Sequence, residues 1–288
     1  MVTSNVRKCL VVLAAAAELA ATGSAGTQIQ YATGQNAVPV YEGWKKNPDG
    51  STTMVFGYMN RNYEEELDIP VGEGNRFEPG DADRGQPTHF FTRRQMFVFE
   101  VIVPPDWGNK DLVWTLTAHG RTDKAYGSLM AGYELSDIVI RENRIQDMGQ
   151  GGGEPNKPPT IALAGPARRS IAVGDRLTLA VSVSDDGFPT PRPRRTGSGG
   201  AQRLPKPNPV TQAVVKPRPE IGLSVTWIQY RGAGTVTFDP ASPPINAGSA
   251  TTTATFTRPG TFVVRAYADD SVLTAATDVT VVVSDRPR

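Results

Sequence analysis

The chemistry-bearing side chains in this chain are few. There are two histidines, His89 and His119, and either could act as a base or hold a metal. They are 30 residues apart, with no His-x-x-x-His spacing and no cysteine nearby to complete a zinc site. His119 alternates with Thr115 and Thr117, which predicts a hydrogen-bonding residue at a strand end. His89 closes the run Arg84-Gly85-Gln86-Pro87-Thr88-His89, and loops of this kind often carry function. Glu78, Asp81 and Asp83 beside Arg84 could supply a carboxylate pair for glycosidic bond cleavage or hold a hard cation, and they read equally as a solvated Asp turn. Tyr41, Trp44, Tyr58, Tyr63 and Trp107 could form a sugar-stacking platform or simply pack on strand faces. The candidate ligand-binding residues are therefore His89, Trp44 and Arg84. Two acidic pairs, Asp185-Asp186 and Asp269-Asp270, follow strand-like runs, so four carboxylates could converge on calcium. No Gly-x-Ser-x-Gly elbow and no phosphate-binding Gly-x-x-x-x-Gly-Lys-Ser/Thr loop is present.

The elements that would carry these residues are strands. The 288 residues include 29 glycines and 24 prolines, punctuation that suits many short strands joined by turns. A net charge of +1 gives no global pull toward nucleic acid, membrane or acidic substrates. Arg7 and Lys8, the apolar run from Cys9 to Ala17 and the small residues through Ala25 read as a secretory signal over 1–25, cleaved after Ala25. Cys9 is the sole cysteine, so the cleaved chain would hold no disulfide and no thiolate ligand.

From Val38 to about Glu142, alternating apolar runs predict a first β-sandwich spanning 37–146. Its features are a turn at Asn47-Pro48-Asp49-Gly50, a central strand at 95–103, a strand at 112–118, a closing strand at 133–140, and a long loop between Leu67 and Phe91. Residues 147–159 are rich in glycine and proline and read as a linker, which predicts two separable, weakly coupled sandwiches. A second sandwich over 160–284 shows inward rows at Leu177, Leu179, Val181 and Val183; at Leu223, Val225 and Trp227; at Phe262, Val264, Ala266 and Ala268; and at Val279, Val281 and Val283. Within it, residues 191–219 carry seven basic residues, no acid and seven prolines, the composition of a disordered basic insert. The expected fold class is all-β: two β-sandwich domains, the second immunoglobulin-like, behind an N-terminal signal helix.

Several runs carry a resemblance. They are Val183-Ser184-Asp185-Asp186-Gly187, Ser224-Val225-Thr226-Trp227, Gly234-Thr235-Val236-Thr237-Phe238, Thr253-Ala254-Thr255-Phe256, Pro259-Gly260-Thr261-Phe262-Val263-Val264-Arg265 and Asp278-Val279-Thr280-Val281. In this order they resemble the PKD-type (polycystic-kidney-disease-type) immunoglobulin-like repeats of exported bacterial proteins. The first half is similar to a set of exported bacterial proteins without an assigned function. The residues that carry this second likeness are Pro39–Trp44, Phe56–Tyr58, Asn60–Asn62, Arg84–Phe90 and Trp114–Gly120.

Together these readings imply an exported, noncatalytic protein with a binding, adhesion or spacer role, secreted, periplasmic or at the cell surface. The alternative is a carbohydrate-active enzyme, or its accessory module, with the site on the first sandwich. The partners this admits are polysaccharide or a cell-surface protein, with no specific nucleic acid and no membrane span after signal cleavage. Calcium is the one cofactor that the acids admit.

Overall fold

The computed structural model describes residues 31–136, 139, 156–188 and 222–285. The expected signal segment, most of the linker and the basic insert at 191–219 lie outside the described residues. In the first half, β1 (Ala37–Lys46), β2 (Thr52–Asn60) and β6 (Arg93–Val103) form one antiparallel sheet in the order β1-β2-β6. β4 (Asn75–Glu78), β7 (Leu112–Ala118) and β8 (Arg121–Gly127) form the facing sheet in the order β4-β7-β8. β3 (Leu67–Asp68) and β5 (His89–Phe90) pair by themselves.

Turn chemistry sets the registers. Asp49 caps the β1–β2 turn, accepting from the backbone N–H of Ser51 at 2.9 Å and from its hydroxyl at 2.6 Å, and Gly50 takes the left-handed conformation. His119 and Gly120 link β7 to β8, both with positive φ, the geometry of a two-residue primed hairpin turn. His119 thus sits in the turn itself, where its Nε2 meets Glu65 at 3.0 Å.

Three sequence expectations need correction here. β2, not β6, is the central strand of its sheet; β2 is buried along almost its whole length, whereas Ile102 of β6 is exposed. The segment from Leu67 to Phe91 is not one loop, because Asn75 and Phe77 point inward and let β4 extend the edge of β7. The closing strand is not seen in its described part: Ala131–Tyr133 is a 3-10 turn, and Leu135 donates to the Trp44 carbonyl at 2.7 Å.

The first core is aromatic. Trp114 stacks on Phe77 at 5.7 Å between centroids and meets Phe99 edge-on at 4.9 Å, while Phe56 packs on Phe77 at 5.2 Å. Asn75 ties this core to the loop above it. Its Nδ2 donates to the carbonyls of Ile69 (2.9 Å) and Pro87 (2.8 Å), and its Oδ1 accepts from Trp114 Nε1 (2.9 Å).

In the second half, β9 (Thr160–Leu163), β11 (Leu177–Ser184), β13 (Val236–Asp239) and β14 (Ser249–Phe256) form a sheet in the order β13-β14-β11-β9. β10 (Arg168–Ala172), β12 (Ser224–Arg231), β15 (Gly260–Asp269) and β16 (Thr274–Ser284) form the other in the order β10-β16-β15-β12, with β10 parallel to β16. A first strand split between the two sheets, and a third core strand carrying a buried Trp227, make this an immunoglobulin-like sandwich. The core comes from the alternating rows read in the sequence: Leu179, Val181 and Val183 face Val225 and Trp227, with Phe262 to Ala268 and Val279 to Val283 filling the opposite sheet.

Replacing Asn75 with Ala leaves three buried groups without partners, each costing about 1–3 kcal/mol. Asn75→Ala should therefore lower unfolding stability by about 3 kcal/mol or more in urea melts, while the exposed Asn109→Ala should change it by less than about 0.5 kcal/mol.

Candidate functional site

The loop singled out as a ligand-binding candidate is occupied by the chain itself. Thr88 donates its N–H to the carbonyl of Tyr230 at 3.2 Å, and its hydroxyl accepts from Gly232 N–H at 3.0 Å. Tyr230 hands its hydroxyl proton to the Gly85 carbonyl. Arg231 donates Nε to the Gln86 carbonyl at 2.8 Å and forks onto both oxygens of Asp83, at 2.9 and 2.7 Å. That fork, helped by the Gly85 N–H, outweighs burial and holds the Asp83 carboxyl below its ordinary range. Gly234 N–H donates to Asp68 at 3.0 Å. Val98 on β6 accepts from Tyr267 at 3.3 Å and from Arg265 at 3.5 Å.

These contacts form a junction between the two sandwiches. Tyr230 is 3% exposed and packs into the first sandwich's aromatic core although it belongs to β12. Arg265 lies 3.5 Å above the Tyr230 ring and is itself forked onto Asp278 at 2.7 and 2.8 Å, so the ring is held from the second sandwich too. Gly232 is required beside it, because a Cβ there would come within 2.4 Å of the Phe262 ring, and its φ of +117° is unfavourable for other residues. The described residues from Tyr31 onward fall in one compact unit.

His89 sits at the margin of this junction, 6% exposed. Its Nδ1 meets Asp68 at 2.8 Å and its Nε2 meets Glu66 at 3.1 Å, with Phe91 edge-on at 4.8 Å. A ring with both nitrogens engaged by carboxylates has no free lone pair for a metal and none for a substrate proton. Arg84 folds back on its own loop, giving Nη2 to the Pro79 carbonyl at 3.1 Å while its N–H meets Gln86 Oε1 at 2.7 Å. Trp44 is on β1, donates Nε1 to the Met130 carbonyl at 2.9 Å and shares no partner with His89 or Arg84. None of the three is among the described residues lining two surface clefts, of about 590 and about 170 Å³, which are lined by Glu73, Gly74, Arg76 and Thr117, and by Thr160–Ala162 and Ser182–Ser184.

The four acids of the second sandwich lie where Ser224 pairs with Asp269 and Thr160 with Ser184. Asp186 accepts from Phe188 N–H at 3.0 Å and from Lys157 N–H at 2.9 Å. Asp269 accepts from Ser271 N–H at 2.7 Å. Asp185 accepts from Gly187 N–H at 3.0 Å through one oxygen, and Asp270 from Val272 and Leu273 N–H, both at 2.6 Å, through one oxygen. Among the described residues no group of three His, Cys, Asp or Glu side chains is placed to hold a metal, and no helix is long and apolar enough to cross a membrane.

Sequence reasoning missed the junction residues. The signal was Tyr230, a large aromatic on the outward face of a strand whose inward row is Val225, Trp227 and Gln229, followed by glycines at 232 and 234. An outward aromatic on a sandwich strand marks a second buried face.

No protein-family model matches the chain, and no curated protein matches it in sequence. Among solved structures it is similar to domains 4 and 5 of the S-layer protein SbsC, at 12% identity and a TM-score of 0.26 over 61% of this chain and 65% of that one. It is also similar to the D00-D0 domain of intimin, at 14% identity and a TM-score of 0.28 over 86% of this chain and all of that one. With the N-terminal eight Ig domains of Down Syndrome Cell Adhesion Molecule it shares 10% identity at a TM-score of 0.26, over 87% of this chain and 28% of that one.

The His89 cluster makes stability depend on pH. Burial works to lower the imidazole pKa, but the hydrogen bonds and charges of Asp68 and Glu66 prevail and hold it up from 6.5 to about 8. A folded pKa above the unfolded one adds stability that is fully present below about pH 6.5 and is lost as pH rises through about 8. The melting temperature should therefore fall across that window, and His89→Gln should flatten the step, as read by calorimetry in a pH series.

Proposed function

We propose that the chain is a noncatalytic spacer module that works at the cell surface or outside the cell, in which a PKD-type sandwich is fastened to the N-terminal sandwich as one stiff unit. The observation that carries this reading is the junction. The loop from Asp83 to His89, which would be the natural place for a ligand on the first sandwich, is held by Tyr230, Arg231, Gly232 and Gly234. A loop spent on an internal partner transmits position and force rather than recognising a substrate. The neighbouring histidine is engaged at both nitrogens, which removes the general base that a hydrolase would need there. The apolar segment behind Arg7 and Lys8 supports export.

A stiff unit should unfold as one. Wild-type protein is expected to melt in a single calorimetric transition, and Tyr230→Ala with Arg231→Ala to split it into two and to enlarge the radius of gyration in solution scattering. Loss of the buried ring alone costs about 3 kcal/mol or more. Two separate wild-type transitions would sink the spacer reading. So would polysaccharide turnover on a broad glycan panel that disappears in His89→Gln.

A further inference from the structure

Buried polar atoms in a folded protein have partners almost without exception, so the exceptions mark places where something is absent. At the end of the second sandwich where Thr160 pairs with Ser184 and Ser224 with Asp269, three such exceptions lie on neighbouring segments. Asp270 is 0% exposed, and its Oδ2 has no hydrogen-bond partner, although its Oδ1 is doubly bonded to the Val272 and Leu273 N–H groups. Asp185 Oδ1 is likewise inaccessible and unpartnered. Asn156 has neither its amide oxygen nor its amide nitrogen bonded, and both are inaccessible. The next residue, Lys157, donates its N–H to Asp186, which sets Asn156 beside the turn that carries Asp185.

We infer that Asp185, Asp270 and the amide oxygen of Asn156 are the side-chain ligands of a calcium ion that joins the start of β9 to the turns after β11 and β15. The donors are all oxygen, two are anionic, and they come from three segments, so backbone carbonyls and water can complete the 6–8 ligands that calcium takes. The second oxygen of the fully buried Asp270 has no donor facing it, and a divalent cation would occupy that place. Asp186 and Asp269 are positioning residues instead, with carboxylates that accept backbone N–H groups from their own turns. The third ligand is an amide, so the sequence pattern of paired acids pointed to this end but not to this set.

The test uses the full chain, stripped of divalent ions with a chelator and titrated with calcium chloride by calorimetry and by thermal melting. Calcium should release heat and raise the melting temperature in the roughly 10⁻⁴–10⁻³ M range typical of extracellular modules. Magnesium should do much less, because its tight octahedral shell suits this site poorly. Asp270→Asn keeps an oxygen for Val272 and Leu273 while replacing the free one, and it should abolish the calcium shift. In chelator this variant should melt at or above the wild type, since a buried charge is gone. Asp185→Asn provides the same test through a more exposed residue, and Asn156→Ala should weaken binding. Asp186→Asn and Asp269→Asn should keep the calcium shift. Absence of heat and of any shift in the wild type at millimolar calcium would overturn the site. A magnesium response equal to that of calcium, or a loss in Asp186→Asn or Asp269→Asn as complete as in Asp270→Asn, would overturn this assignment of ion and ligands.

Discussion

A tyrosine buried at a boundary has to satisfy its ring and its hydroxyl at once, and that double requirement fixes the placement of the two sandwiches. The Tyr230 ring fills the first core while its backbone forms a bulge in β12, between Gln229, paired with Val264, and Arg231, paired with Val263. Burial raises the pKa of its hydroxyl, which stays a donor, and the carbonyl of Gly85 is where that donor goes. Once that bond is made, the loop from Asp83 to Thr88 is within reach of Arg231 and Gly232, and each further bond narrows the orientation. Shifting β12 by one residue would turn Tyr230 into its own core and expose Trp227, so the register of the second sandwich and the docking of the first are the same constraint.

How much of this was legible in the sequence depended on periodicity. The rows at Leu179–Val183, Val225–Trp227, Phe262–Ala268 and Val279–Val283 repeat every second residue, and all of them fall in the second core. The first sandwich was harder, because its short strands β3, β4 and β5 are too brief to show a period, and because Asn75 is a polar residue at a buried position. A polar residue reads as exposed until its three hydrogen bonds are known. Arg84 and His89 looked like binding residues because they are polar residues in a loop rich in Gly and Pro. That same chemistry serves a docking loop equally well, and sequence alone does not say whether the partner lies inside the chain. Trp44 was read as a stacking surface, whereas it anchors Met130 and Leu135 to β1.

Two buried charged clusters in the molecule are resolved in opposite ways. Around His89, a cation lies between Asp68 and Glu66, and Asp68 also receives Gly234, so every charge has a partner supplied by the chain. Around Asp270, two carboxylates face each other's neighbourhood with one oxygen each left over, and the described chain supplies no cation there. Burial of charge is tolerated only when it is compensated, so the first cluster is complete in itself and the second is not.

The strands of the second sandwich relate the acid cluster to the junction. β12 runs from Ser224, opposite Asp269, to Arg231, which is bonded to Gln86 and Asp83. β9 begins at the acid end, because Thr160 pairs with Ser184. In the first sandwich Leu135 is bonded to the Trp44 carbonyl, and the described chain resumes at Asn156, just before β9. The side chains that bind the two sandwiches to each other, Tyr230 and Arg231, come from a strand much later in the sequence. Asn156 stands just before β9, next to the Lys157 N–H that bonds Asp186, so the start of β9 and the turn carrying the unpartnered Asp185 oxygen fall at the same place.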